Sequence, residues 1–230
     1  MSNGIVNKKE RNYGVDALRI ISMGMVVILH ILGQGGVLKN TSLFSANYFL
    51  CWLFEILAYG AVNCYALISG YVGIHSQQKY RNIFLLWFQV VFYTLGITLM
   101  FFIIKPELVG LKKVFQACFP VLTKRYWYFT AYFCLFFAIP ILNFIVQNID
   151  RKKLETAIFT GFILFSIFPT FTLKDQFLLN NGYSFLWLAY LYLIGGYISK
   201  YNVFKNISSQ KLLVSFFAFS CLTWLTKILI

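Results

Sequence analysis

Acidic residues are scarce in this chain: 230 residues carry 7 Asp and Glu against 20 Lys and Arg, and charged side chains make up only 12% of the sequence. A soluble domain ordinarily carries about twice that share. With 60% hydrophobic and 20% aromatic residues, the composition is that of an integral membrane protein, and no separate soluble domain is visible. Metal-ligand spacing is absent too. Cys51, Cys64, Cys118, Cys134 and Cys221 lie mostly in apolar runs, with neither a CxxC pair nor a His in ligand register, so they read as packed thiols, and no metal site is expected. A cleavage site of the A-x-A type is missing after the first apolar run, which is therefore read as a retained helix. Internal repeats of the kind that build many transporters are also missing.

What is present is a series of apolar runs of about 20 residues, each sufficient to cross roughly 30 Å of hydrocarbon as a helix. The chain is expected to be an all-α, polytopic helix bundle, a single domain over residues 1–230. Seven spans are expected, at Ala17–Gly36, Asn47–Ile74, Asn82–Ile104, Tyr126–Gln147, Leu154–Leu173, Tyr183–Ile198 and Leu212–Ile230. The chain stops inside an apolar run, "LTKILI", which suggests a fragment of a longer core.

Orientation follows from where the cations fall. With the N-terminus inside, Lys8, Lys9, Arg11, Lys79, Arg81, Arg151, Lys152, Lys153, Lys200, Lys205 and Lys211 are cytoplasmic, whereas Lys39, Lys105, Lys112, Lys113, Lys124, Arg125 and Lys174 are external. The loop Lys105–Arg125 runs against the trend, either as a solvated charge run or as a segment that folds back to present cations to an anionic acceptor. Because the formal charge of +13 is spread over short loops, it points to anionic headgroups and not to nucleic acid.

The first span, "VDALRIISMGMVVILHILGQGG", holds the most informative residues. Arg19 and His30 stand eleven residues apart, three turns plus roughly 20°, so they share a face about 16 Å apart in depth. Asp16, Ser22 and Gln34 fall along the same stripe. Arg19 can snorkel to the cytoplasmic interface and pair with Asp16. His30 sits beyond the midplane, either satisfied by a neighbouring backbone carbonyl or poised to take and return a proton. In the second span Asn47, Glu55, Tyr59 and Asn63 continue the polar theme; Glu55 needs a partner, and an interhelical hydrogen bond is the expected one, with a proton relay as the alternative. Arg125, Trp127 and Tyr128 at the outer interface form either an aromatic belt or a stacking platform for a sugar ring, and Tyr132 one turn deeper is placed to donate to a developing oxyanion.

Four ordered segments carry a family resemblance: "DALRIISMGMVVILH", with an Arg, ten residues and a His; "GAVNCYALISGYV"; "YWYFTAYFCLFFAIPILN"; and "YSFLWLAYLYLIGGYI". Together they make the chain similar to the acyltransferase 3 family of multispan membrane O-acyltransferases. The resemblance implies transfer of an acyl group, usually acetyl, from cytoplasmic acetyl-CoA as co-substrate, with no bound cofactor, to a hydroxyl of a cell-surface polysaccharide sugar or its lipid-linked precursor. It implies a multi-pass protein of a bacterial plasma membrane, whose partners are the lipid bilayer, acyl-CoA and the sugar acceptor. The family's Arg and His carry over to Arg19 and His30, the Arg toward the CoA phosphates and the His as general base, or as nucleophile through an acyl-imidazole. In that picture the pantetheine arm carries the thioester along the helix toward His30. Lys79 and Arg81 take the place of a denser basic cluster at the start of the third span. Asn63 stands where many relatives have Pro, and neither an appended esterase-like domain nor the last spans of the family core are present. A transporter or flippase for a polysaccharide precursor, using Arg19, His30 and Glu55 as substrate and proton sites, is the competing reading.

Overall fold

The computed structural model describes residues 11–229; Lys8 and Lys9, assigned to the cytoplasm above, lie outside them. The described residues contain no strand. The reason is the solvent: with no water in the hydrocarbon core to satisfy N–H and C=O groups, the backbone pairs within each segment. The helices are α1 Tyr13–Leu29, α2 Val37–Asn40, α3 Ala46–Ala58, α4 Ala61–Gly73, α5 Tyr80–Ile104, α6 Leu111–Cys118, α7 Trp127–Asn148, α8 Arg151–Phe162, α9 Phe168–Thr172, α10 Phe185–Tyr201 and α11 Ser209–Leu229. π-helical turns extend α1 through His30–Gln34 and join α8 to α9 through Ile163–Ile167. Polar residues open several helices: Asn12, Ser45 and Ser184 accept the free N–H groups of Val15, Tyr48 and Trp187 at the starts of α1, α3 and α10, as N-cap chemistry requires.

Six described helical stretches are long and apolar enough to cross a membrane: Tyr13–Gln34, Ala46–Gly73, Tyr80–Ile104, Trp127–Asn148, Arg151–Thr172 and Ser209–Leu229. The expected seventh span, Tyr183–Ile198, corresponds to α10, which is shorter at 17 residues. Its contacts show how far it reaches. Tyr183 lies 4.4 Å from Trp127 at the start of α7, and Lys200 donates to the Val146 and Gln147 carbonyls at its end. α10 therefore runs parallel to α7 along nearly its whole length. The second span differs from expectation in another way: it is broken at Tyr59–Gly60 into α3 and α4.

The described chain forms two compact units, residues 11–68 with 204–229 and residues 69–203. In the first, Trp224 of α11 donates its indole N–H to the Phe49 carbonyl of α3 at 2.9 Å, and the Lys227 ammonium lies 4.7 Å from the Trp52 ring centre. Tyr65 donates to the Arg19 carbonyl at 3.0 Å, which ties α4 to α1.

In the second unit small residues let helices approach closely, the usual means of association where lipid supplies no hydrophobic drive. A Cβ on Gly70 would stand 2.0 Å from the Tyr192 carbonyl oxygen of α10. Polar side chains then fasten the end of α4 to α7 and α10. Asn143 donates to the Gly73 carbonyl at 3.2 Å and accepts from the Tyr192 hydroxyl at 2.8 Å, and Gln147 donates to the Ile74 carbonyl at 2.5 Å. On the neighbouring face Tyr190 donates to the Ile158 carbonyl of α8 at 2.8 Å.

Pro140 lies inside α7. Lacking an N–H, it leaves the carbonyl of Phe136, four residues earlier, without its helical donor. Gln78, in the connection before α5, donates its side-chain N–H to that Phe136 carbonyl. The sequence thus removes one backbone donor and supplies a side-chain donor in its place, as buried backbone in a membrane demands.

Two outcomes follow for stability. Gln78→Leu should cost about 1–3 kcal/mol through the orphaned carbonyl, and adding Pro140→Ala, which restores an N–H at residue 140, should recover most of that loss in a thermal-unfolding cycle. Gly70→Ala should destabilise by a further ~1–3 kcal/mol because its neighbour is backbone and cannot move aside, whereas Gly96→Ala, with open space around it, should leave the melting temperature unchanged or raise it slightly.

Candidate functional site

Near the start of α1, Asp16 receives two cations: Arg11 Nε at 2.5 Å and Arg19 Nη1 at 3.3 Å. The expected Arg19–Asp16 pair is present, and the Arg19 side chain is still 47% exposed, so much of its guanidinium remains open to an anion. The polar stripe divides at Ser22. Ser22 is fully buried, beside the Cys64 thiol, while Arg19, His30 and Gln34 are exposed.

At His30 the helix widens. The Gly35 N–H donates to the His30 carbonyl at 2.8 Å, the five-residue step of a π turn, a feature found often at functional sites. The turn depends on glycine, because a Cβ at Gly35 would lie 2.3 Å from the Ile31 carbonyl oxygen and Gly36 adopts φ +77°. His30 Nδ1 lies 2.8 Å from the Val26 carbonyl oxygen. A carbonyl only accepts, so in the neutral imidazole Nδ1 carries the proton and Nε2 keeps its lone pair. One ring nitrogen of His30 is thus satisfied by backbone, as one of the two expectations had it, and the other keeps its lone pair.

Glu55 sits in the last turn of α3, and Tyr59 and Asn63 flank the break that follows. The break interrupts the polar face expected of one continuous helix. One carboxylate oxygen of Glu55, Oε2, is buried without a hydrogen-bond partner, so the interhelical bond expected for Glu55 is not made at that atom.

The remaining expected site residues belong to the second unit. Lys79 precedes α5 and Arg81 stands in its first turn, both exposed and, among the described residues, in no ion pair. Ile74 is fixed to Gln147, but Gln78 is fixed to Phe136, and Tyr80 meets the rings of Phe136 and Phe137 at 6.0 and 6.2 Å. Between the two anchors the chain climbs eleven residues of α7, roughly 16 Å. The start of α5 is thus recessed to near the middle of α7.

Tyr132 of α7 lines a cavity of about 300 Å³ with Phe136 and with Asn82, Ile83, Leu85, Leu86 and Gln89 of α5. It therefore neighbours the start of the third span, a proximity its place in the sequence conceals. Tyr132 also stacks on Tyr128, with ring centres 6.2 Å apart and planes at 23°. Trp127 is engaged by Tyr183 and by the edge of Tyr128, and Arg125 donates to Gln116 Oε1 at 3.2 Å. The loop Lys105–Arg125 is itself structured: it contains α6, with Ala117 buried, Leu111 and Phe115 exposed, and Lys113 donating to the Leu108 carbonyl at 2.6 Å. Among the described residues no group of three His, Cys, Asp or Glu is placed to hold a metal ion.

These features define a helical, multispan membrane protein with a histidine and an exposed arginine on its first span. Residues 12–230 match the family model described as an acyltransferase domain, Acyl_transf_3. The chain belongs to the acyltransferase 3 family and is a membrane acyltransferase. No curated protein and no solved structure matches it.

Three features of the site escaped the sequence: the π turn at His30, the break after Glu55 and the recess at Lys79. The first has a signal in the glycines at 33, 35 and 36. The second has one in a run of 28 residues, longer than a membrane requires. Glu55→Leu should hold or raise the melting temperature, because it removes a carboxylate oxygen left unsatisfied, a group that costs about 1–3 kcal/mol to bury.

Proposed function

We propose that this acyltransferase moves an acetyl or related acyl group from cytoplasmic acyl-CoA to a hydroxyl of a cell-surface polysaccharide sugar or its lipid-linked precursor, in a bacterial plasma membrane. The observation that carries the reading is the 2.8 Å contact between His30 Nδ1 and the Val26 carbonyl, which leaves Nε2 as the proton acceptor. His30 Nε2 takes the proton of the acceptor hydroxyl as its oxygen attacks the thioester carbonyl carbon. The carbon–sulfur bond breaks, and the imidazolium returns the proton to the departing thiolate, giving the ester and CoA. Arg19, still open to solvent beside Asp16, and the recessed Lys79 and Arg81 supply positive charge for the CoA phosphates.

Tyr128, Tyr132 and Trp127 offer aromatic faces to a sugar ring, with Arg125 and Glu55 as further polar contacts to the acceptor. The family assignment favours chemistry over transport, since a transporter has no reason to consume acyl-CoA.

Membranes carrying the wild-type chain should transfer radiolabelled acetyl from acetyl-CoA to polysaccharide. His30→Ala should reduce transfer by at least about 100-fold, the usual contribution of a general base, at unchanged membrane abundance. Arg19→Ala should act chiefly by raising KM for acetyl-CoA. A His30→Ala protein with wild-type transfer would overturn the assignment of the base, and acetyl-CoA consumption that labels no polysaccharide would overturn the acceptor class.

A further inference from the structure

Two residues that line the cavity between α5 and α7, Asn82 and Gln89, have no role in the reading above. Asn82 and Gln89 are seven residues apart, two helical turns, so their carboxamides stand on one face of α5 about 10 Å from each other, and both line the cavity opposite Tyr132. Among the described residues neither carboxamide makes a side-chain hydrogen bond. Both residues are exposed, so their carboxamides are open to a ligand in the cavity. The other lining residues, Ile83, Leu85, Leu86 and Phe136, are apolar, so the cavity offers no charge, two donor–acceptor amides and slender apolar walls. At its lower end stand the two cations Lys79 and Arg81, recessed beside the middle of α7.

Read along α5 from its start, the order is cation, cation, carboxamide, carboxamide, all within roughly 15 Å. Acyl-CoA presents the complementary order: a polyanionic head, then a thin uncharged arm containing two amide groups, then the thioester. We infer that this groove is the seat of the donor's pantetheine arm. Asn82 and Gln89 bond the arm's two amides, and the recessed Lys79 and Arg81 hold the phosphates below them. This assignment rests on acyl-CoA being the donor, and it adds Asn82 and Gln89 as binding residues for the arm. Residues 74–78 run along α7 and leave the start of α5 beside its middle. The carboxamides gain partners only from the ligand, and each pairing is a neutral hydrogen bond in an apolar setting, where a missing partner is felt most.

The test uses the purified full chain in lipid nanodiscs, with binding of CoA and of adenosine 3′,5′-bisphosphate measured by calorimetry. The bisphosphate shares phosphate groups with CoA and lacks the arm. Asn82→Leu and Gln89→Met, each near in size to the residue it replaces, should weaken CoA about tenfold while leaving the bisphosphate unchanged. Arg81→Ala should weaken both ligands. Both variants carry the same expectation, so a failure of one to fold leaves the test intact in the other. Variants that bind CoA as the wild type does, or that lose both ligands in equal measure, would overturn the seat of the arm while leaving the donor in place. A wild-type chain that binds neither ligand would overturn the donor assignment as well.

Discussion

The bond from Gln78 to the Phe136 carbonyl is the contact on which the geometry of the second unit turns. It exists because Pro140 withdraws a backbone donor from the middle of α7, where hydrocarbon offers no replacement. Satisfying that carbonyl draws the connection between α4 and α5 upward from its anchor at Gln147. The start of the third span follows, and with it Lys79, Arg81 and the polar face of α5. One missing N–H thereby sets the depth of two cations and forms a cavity beside Tyr132. The anchors at either end are of the same kind: side-chain amides of Asn143 and Gln147 on the carbonyls that close α4, and the Lys200 ammonium on the last carbonyls of α7. Each meets an acceptor that a helix end leaves open.

The same constraint shapes α1. A π turn frees no backbone group; it lengthens the hydrogen-bonded step and changes the direction in which the next side chains leave the helix. At His30 it coincides with a side-chain bond to Val26 that fixes the tautomer. Arg19, three turns below, shares its charge with an aspartate that Arg11 also holds. Asp16 so placed orients Arg19 without covering it.

The sequence made the membrane class, the helical architecture and most span limits legible, because these depend on apolar length alone. α5, expected at Asn82–Ile104, begins at Tyr80, and α7, expected at Tyr126–Gln147, covers Trp127–Asn148. The Arg19–Asp16 pair was legible for a similar reason: residues three apart on a helix must be neighbours. What stayed hidden are the long-range consequences of local defects. Pro140 announces a kink in the sequence, but nothing there says that Gln78, 62 positions earlier, supplies the missing donor. Helical periodicity assumes an unbroken helix, so it did not show the break at Tyr59–Gly60 that separates Glu55 from Asn63.

A membrane protein ordinarily pairs its buried polar atoms, since the cost of leaving one unpaired exceeds the net gain from making a typical hydrogen bond. The exceptions in this chain are therefore informative as a set. Backbone carbonyls are matched with care, by Gln78, Asn143, Gln147, Lys200, Tyr65 and Tyr190. Among the described residues the buried side-chain atoms without a partner are Ser22 Oγ, Glu55 Oε2 and Gln78 Oε1, while the exposed carboxamides of Asn82 and Gln89 stand along a cavity. Of these, the carboxamides at the cavity are the ones a ligand reaches. Polar groups unmet at an opening favour binding over rigidity: they lower the stability of the empty protein slightly, and a ligand that supplies the missing partners recovers that cost when it binds.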